Sequence, residues 1–171
     1  MAEAIPMQDR EEQLSNRFPV SVIMQKTELD NQWAGESWEA IGVTVGENSL
    51  RDEQNQPRLI FQEGNISQFL LSDFELVLYS DECESYYHNL MSPEPRCFVI
   101  ADLDENEVPQ PFLVSLSLDE AHSYLEGDEE VYAIDLPPEL YRWSESFVLS
   151  HYAPQKKVKR KLKNWKENGA A

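Results

Sequence analysis

Residues 18–24 place Phe18, Val20, Val22 and Met24 at every second position. A period of two marks a strand with one face in a core and the other in water. The pattern recurs along the chain. Residues 38–45 read as a second strand with Ile41, Val43 and Val45 inward, and residues 58–61 as a short edge. Residues 74–79 read as a strand, and residues 85–91 as its hairpin partner across a turn at 80–82. Residues 97–101 are apolar throughout, which fits a strand buried on both faces, and residues 111–116 return antiparallel to them. The connections at 27–35, 46–57, 92–95 and 104–110 are polar or carry proline. No helix alternates with these strands, which argues against a parallel sheet of βαβ units.

Two helices are expected after the strands. Ser117 and Glu120 form a capping box: the Ser117 side chain would accept the Glu120 amide, and Glu120 would reach back to the Ser117 amide. Leu118, Ala121, His122 and Leu125 would share the buried face, and Gly127 would end the helix in a left-handed cap. Residues 131–134 form a short extended piece. Pro137 and Pro138 then open the second helix, where Leu140, Trp143, Phe147 and Val148 make an apolar stripe. The fold expected is α+β, an antiparallel β-sheet or small β-barrel capped by two C-terminal helices. The expected division is an acidic disordered N-terminus over 1–15, one domain over 16–153, and a basic disordered tail over 154–171.

Charge divides the 171 residues sharply. Lys156, Lys157, Lys159, Arg160, Lys161, Lys163 and Lys166 are seven of the fourteen cations, and Glu167 is the one acid among them. The last sixteen residues therefore carry +6. The preceding 155 carry 31 acids against seven cations, or −24. A body so acidic repels a phosphate backbone, so DNA is not an expected partner. The tail reads either as a solubilising extension attracted to that body, or as a dock for an acidic partner, RNA or an anionic membrane. No apolar run is long enough to span a bilayer. The first twelve residues lack both a basic start and an apolar stretch, so export is not expected and the cytoplasm is.

No constellation in the chain announces a reaction. His88, His122 and His151 lack metal-ligand spacing, and Cys83 and Cys97 make neither a zinc set nor a disulfide framework. Cys83 stands between Glu82 and Glu84, which disfavour a thiolate. There is no glycine-rich phosphate loop and no nucleophile elbow. No cofactor or metal is expected. Two groups of side chains invite binding. Tyr86, Tyr87, His88 and Asn89 form a polar and aromatic cluster, read as a binding patch or as satisfied core residues. Trp33 and Trp38 read either as anchors of a loop or as part of a partner surface, where tryptophan is enriched.

The order of several motifs resembles one family. Phe18-Pro-Val-Ser-Val-Ile-Met24, Trp33 and Glu36-Ser-Trp-Glu39 open the resemblance. Tyr86-Tyr-His-Asn-Leu90, Pro95-Arg-Cys-Phe-Val99 and Pro111-Phe-Leu-Val-Ser-Leu-Ser-Leu-Asp-Glu-Ala121 continue it. Leu136-Pro-Pro-Glu139, Trp143 and His151-Tyr-Ala-Pro154 close it. Together they resemble the domain-of-unknown-function-3305 family of bacterial proteins, whose genes are typically found near those for formate dehydrogenase. The resemblance implies a non-catalytic accessory protein that binds a subunit or maturation factor of molybdenum-dependent formate dehydrogenase. The anchors expected for that partner are Trp33, Trp38, Tyr87, His88 and Asn89. The alternative is a small-molecule site, or an unrecognised enzyme, at the mouth of the sheet or barrel.

Overall fold

The computed structural model describes residues 16–33, 35–45 and 56–152. The expected disordered N-terminus and basic tail lie outside these residues, as do positions 46–55 of the polar loop. The strands are β1 (Arg17–Glu28), β2 (Glu36–Val45), β3 (Arg58–Glu63), β4 (Ile66–Val77), β5 (Arg96–Leu103), β6 (Pro109–Ser115) and β7 (Glu130–Asp135). The helices are α1 (Cys83–Leu90), α2 (Leu118–Leu125) and α3 (Pro138–His151). The architecture is α+β, with every ladder antiparallel. One sheet has the order β2-β1-β4-β3 and the other β6-β5-β7. Among the described residues no ladder joins them, so these sheets do not close into the small barrel given as the alternative.

The two sheets share one core. Val20, Val22, Met24, Ala40, Val43 and Leu76 enter it from the first, and Cys97, Val99, Val114 and Ile134 from the second. Leu90 of α1 and Leu140, Phe147 and Val148 of α3 cover it. Trp143 sets its ring edge-on to Phe18 at 5.2 Å, which fixes α3 across the start of β1. β5 is buried on both faces because a second cluster lies behind it. Phe98 and Ile100 pack there against Ala121, Leu113, Leu118, Tyr124 and Val131. This accounts for the unbroken apolar run at 97–101.

Several expectations need correction. Residues 85–91 are not a hairpin strand but belong largely to α1. Cys83, Ser85, Tyr86, Asn89 and Leu90 are its buried residues, spaced as one helical stripe, and the adjacent tyrosines mimicked a strand. The helices therefore number three among the described residues. β4 starts eight residues before the expected Phe74. Its alternation is hidden because Ser72 and Asp73 bulge opposite Ser21, with Asp73 at φ 73°. Ile41 is exposed, because a bulge in the β1–β2 ladder shifts the inward set to Trp38, Ala40, Val43 and Val45. In α2 the inward residues are Leu118, Ala121 and Tyr124. His122 and Leu125 face water, and Gly127 does not take a positive φ.

Candidate functional site

α1 divides the residues that sequence grouped together. Tyr86 and Asn89 point inward, and their hydrogen-bonding capacity is spent inside the fold. The Asn89 amide donates to the carbonyls of Arg96 at 2.7 Å and Leu116 at 2.9 Å. Its oxygen accepts from the Arg96 amide at 3.0 Å. Asn89 thereby clamps α1 to the start of β5 and the segment leaving β6. The Tyr86 hydroxyl accepts from the Tyr79 amide at 3.0 Å, and burial raises its pKa well above the usual range. Asn89 is 1% exposed, so it reaches no partner without unfolding.

Where α1 meets the end of α3, His88 is exposed and Tyr87 is half-buried against the shared core. The Tyr87 ring lies 5.3 Å from Tyr152 and 5.8 Å from His88. His88 Nε2 stands 3.7 Å from Glu84 Oε1, one turn back on the helix. Close by in sequence, His151 stacks on Phe147 at 4.2 Å, and its Nδ1 donates to the Phe147 carbonyl at 2.9 Å. Phe147, Tyr87 and Tyr152 pack on the core here, and His88 and His151 are left at the surface. Tyr86, Tyr87, His88 and Asn89 therefore point to two sides of a helix and do not converge on a pocket.

The two tryptophans sit at the far end of the first sheet. Trp38 is held in place: its Nε1 donates to Glu36 Oε1 at 3.0 Å, and its ring lies 5.6 Å from Phe69. Lys26 bridges Glu36 at 3.1 Å and rides 5.9 Å from the Trp38 ring centre. The bonds from Trp38 and Lys26 lower the Glu36 carboxyl pKa. Trp33 is different. Its amide donates to Asn31 Oδ1 at 2.9 Å, which shapes the turn, while its side chain is 93% exposed. The loop is closed by Leu29 donating to the Gly35 carbonyl, and it is tied to the β3–β4 turn where Glu28 donates to the Asn65 carbonyl.

The distance between these two groups follows from the ladder. Thr27 pairs with Ile66 at the tryptophan end, and Arg17 pairs with Val77 at the end that leads into α1. At about 3.3 Å per residue the ends are roughly 30 Å apart. Trp33 and Trp38 thus lie at one end of β1, and Tyr87 and His88 toward the other.

The capping box at Ser117 and Glu120 belongs to a wider polar cluster with Glu82, Ser85 and Ser115, which the sequence did not single out. Ser117 accepts the Glu120 amide at 3.1 Å, so the first half of the capping box forms as expected. The return contact runs through a relay: the Ser117 amide donates to Ser115 Oγ, and Ser115 Oγ donates to Glu120 Oε2 at 3.3 Å. Ser117 also lies 2.8 Å from Glu82 Oε2 and 3.1 Å from Ser85 Oγ, and Ser85 accepts the Asp119 amide. The Ser-x-Ser spacing before the box was the available signal. No histidine or lysine joins these hydrogen bonds to activate a serine, and Ser117 is fully buried. The cluster joins α1 to α2.

Neither thiol is poised to react. Burial raises the pKa of Cys83, with the Asp81 charge adding to it, and pushes Cys97 up to about 12. Among the described residues no three His, Cys, Asp or Glu side chains are grouped to hold a metal ion. No described helix is long and apolar enough to cross a membrane. The anchors expected in the tail, Lys156, Lys157, Lys159, Arg160, Lys161 and Lys163, lie outside the described residues.

No curated protein and no solved structure matches the chain. One family does: residues 19–161 match the family described as Protein of unknown function (DUF3305), and the chain belongs to it.

Proposed function

We propose that this chain is a non-catalytic, cytoplasmic accessory protein that docks a protein partner through the Trp33 end of its first sheet. The partner suggested by the family resemblance is a subunit or maturation factor of molybdenum-dependent formate dehydrogenase. The observation that carries the reading is Trp33. An indole left 93% exposed, on a loop braced at both ends, is costly in water and useful at an interface. Trp38, Lys26 and Glu36 form a fixed polar and aromatic rim in the same part of the sheet. Tyr87 and His88, some 30 Å away along β1, lie outside this docking surface.

The test is co-purification of the full chain with the formate dehydrogenase machinery from cells grown on formate, followed by titration of the recovered partner. Truncating a tryptophan anchor typically weakens binding by roughly 30-fold or more. Trp33→Ala should do so while Tyr87→Ala leaves affinity within about threefold. Failure to recover that machinery, or full binding by Trp33→Ala, overturns the reading. Deleting the gene should also abolish formate-dependent growth and leave other molybdoenzymes active.

A further inference from the structure

β3 presents an unusual sheet edge. All six of its residues are exposed, and Leu59, Ile60 and Phe61 follow one another without a polar interruption. The other outer strands are managed differently. β6 carries Pro109 and Pro111, and β2 lies against β7. A bare apolar edge recruits another strand.

We propose that two copies of this chain pair through β3, antiparallel, about a two-fold axis that passes between Ile60 and Phe61. The sequence Arg58-Leu-Ile-Phe-Gln-Glu63 complements its own reverse. Arg58 lies opposite Glu63 of the second copy at both ends, Leu59 opposite Gln62, and Ile60 opposite Phe61. Opposite charges close the ends and apolar residues meet in the middle.

The bulge in β3 makes this register possible. A two-fold that brings two edges together antiparallel runs along the sheet normal, so residues placed opposite one another share a face. In an unbroken strand residues 58 and 63 face opposite ways, and the pairing is forbidden. Here the ladder slips between Leu59 and Phe61. Arg58 pairs with Leu70, Phe61 with Gln68 and Glu63 with Ile66, whereas Leu59 pairs with Phe69 and Gln62 with Ser67. Cross-strand partners share a face, so Arg58, Phe61 and Glu63 lie on one side and Leu59 and Gln62 on the other. Ile60 is the inserted residue. The slip therefore puts Arg58 and Glu63 on one face and Leu59 and Gln62 on the other, so both outer pairs match across the two-fold.

A six-residue edge is small for an interface, so the dimer is weak and concentration-dependent. It goes beyond the docking role proposed for Trp33 and stands or falls separately from it. Sedimentation velocity on the full chain, from low micromolar to several hundred micromolar, should show monomer converting to dimer. Arg58→Glu alone, and Glu63→Arg alone, set like charges opposite each other and should each weaken the dimer by about tenfold. Mixing the two single variants restores complementary ends, as does the double variant, and both should recover wild-type association. Ile60→Lys, at the exposed centre, should give monomer, and its circular dichroism should match the wild type. A wild type that stays monomeric overturns the proposal. So does a dimer indifferent to the single substitutions, or a mixture that fails to restore it.

Discussion

β5 and β3 carry similar apolar runs and end in opposite environments. Val99, Ile100 and Ala101 are fully buried, whereas Leu59, Ile60 and Phe61 are 50%, 44% and 43% exposed. β5 is the middle strand of its sheet, with the shared core on one face and α2 on the other. Among the described residues β3 is an edge with one neighbour in its ladder. The same chemistry therefore holds the fold together in one place and is offered to the outside in the other. What separates the two is the number of surfaces already covering the strand, which no property of the run itself reports.

Cutting side chains in the two strands tests this most directly. Ile100→Ala removes buried methylenes and leaves a cavity between β5 and α2, which should cost about 3–4 kcal/mol in urea unfolding. Phe61→Ala removes a larger ring and should cost less than about 1 kcal/mol, because much of that ring is already in water. Equal losses would mean that β3 is packed in solution to the same degree as β5.

The next largest effect belongs to the join between the layers. Asn89→Ala deletes three hydrogen bonds and strands the Arg96 amide and the Leu116 carbonyl. The expected loss is about 2–4 kcal/mol. His88→Ala, one residue away on the exposed face, should cost less than half as much. A similar loss from both would remove the distinction between the inner and outer sides of α1.

These two sites also show what the sequence could reveal. The alternation in β1, the dense run in β5, the return in β6 and the stripe of α3 were all legible, because each pattern reflects the surface it buries. The Ser117 cap was legible for the same local reason. α1 was not: Tyr86 and Tyr87 favour strands in isolation, and only the Asn89 clamp and the core contact of Leu90 decide for helix. The bulges at Ile41 and Asp73 broke the period that locates strands, which hid the first half of β4 and misassigned Ile41. The separation of Trp33 and Trp38 from Tyr87 and His88 along β1 was not legible, because sequence order does not report which end of a twelve-residue strand a loop occupies.

The Ser117 cluster gives a smaller, local effect on the sheet side of the comparison. Ser117→Ala loses the cap on Glu120 and the contacts to Ser85 and Glu82, which should cost about 1–2 kcal/mol. Ser123→Ala, on the exposed side of α2, should be close to neutral. Thermal unfolding of the two variants side by side distinguishes a cap acting on the α1–α2 join from a general effect of removing a serine hydroxyl.

The smallest effect is a matter of sign. Burial raises the Glu120 carboxyl pKa above its ordinary 4.5, the Ser115 hydroxyl opposes that shift, and the Glu82 charge adds to it. A carboxyl raised in the folded state binds its proton more tightly there than in the unfolded chain. Its contribution is fully present below the unfolded value and is lost as pH rises through the folded one. Glu120→Gln keeps an oxygen to accept from Ser115 and never has to hold the charge. The variant should unfold at nearly the wild-type temperature near pH 4 and gain on it as pH rises to 7. Melting curves across that range check the claim, and a difference that stays flat, or grows in favour of the wild type, would show that Glu120 is held as a comfortable anion at the start of α2.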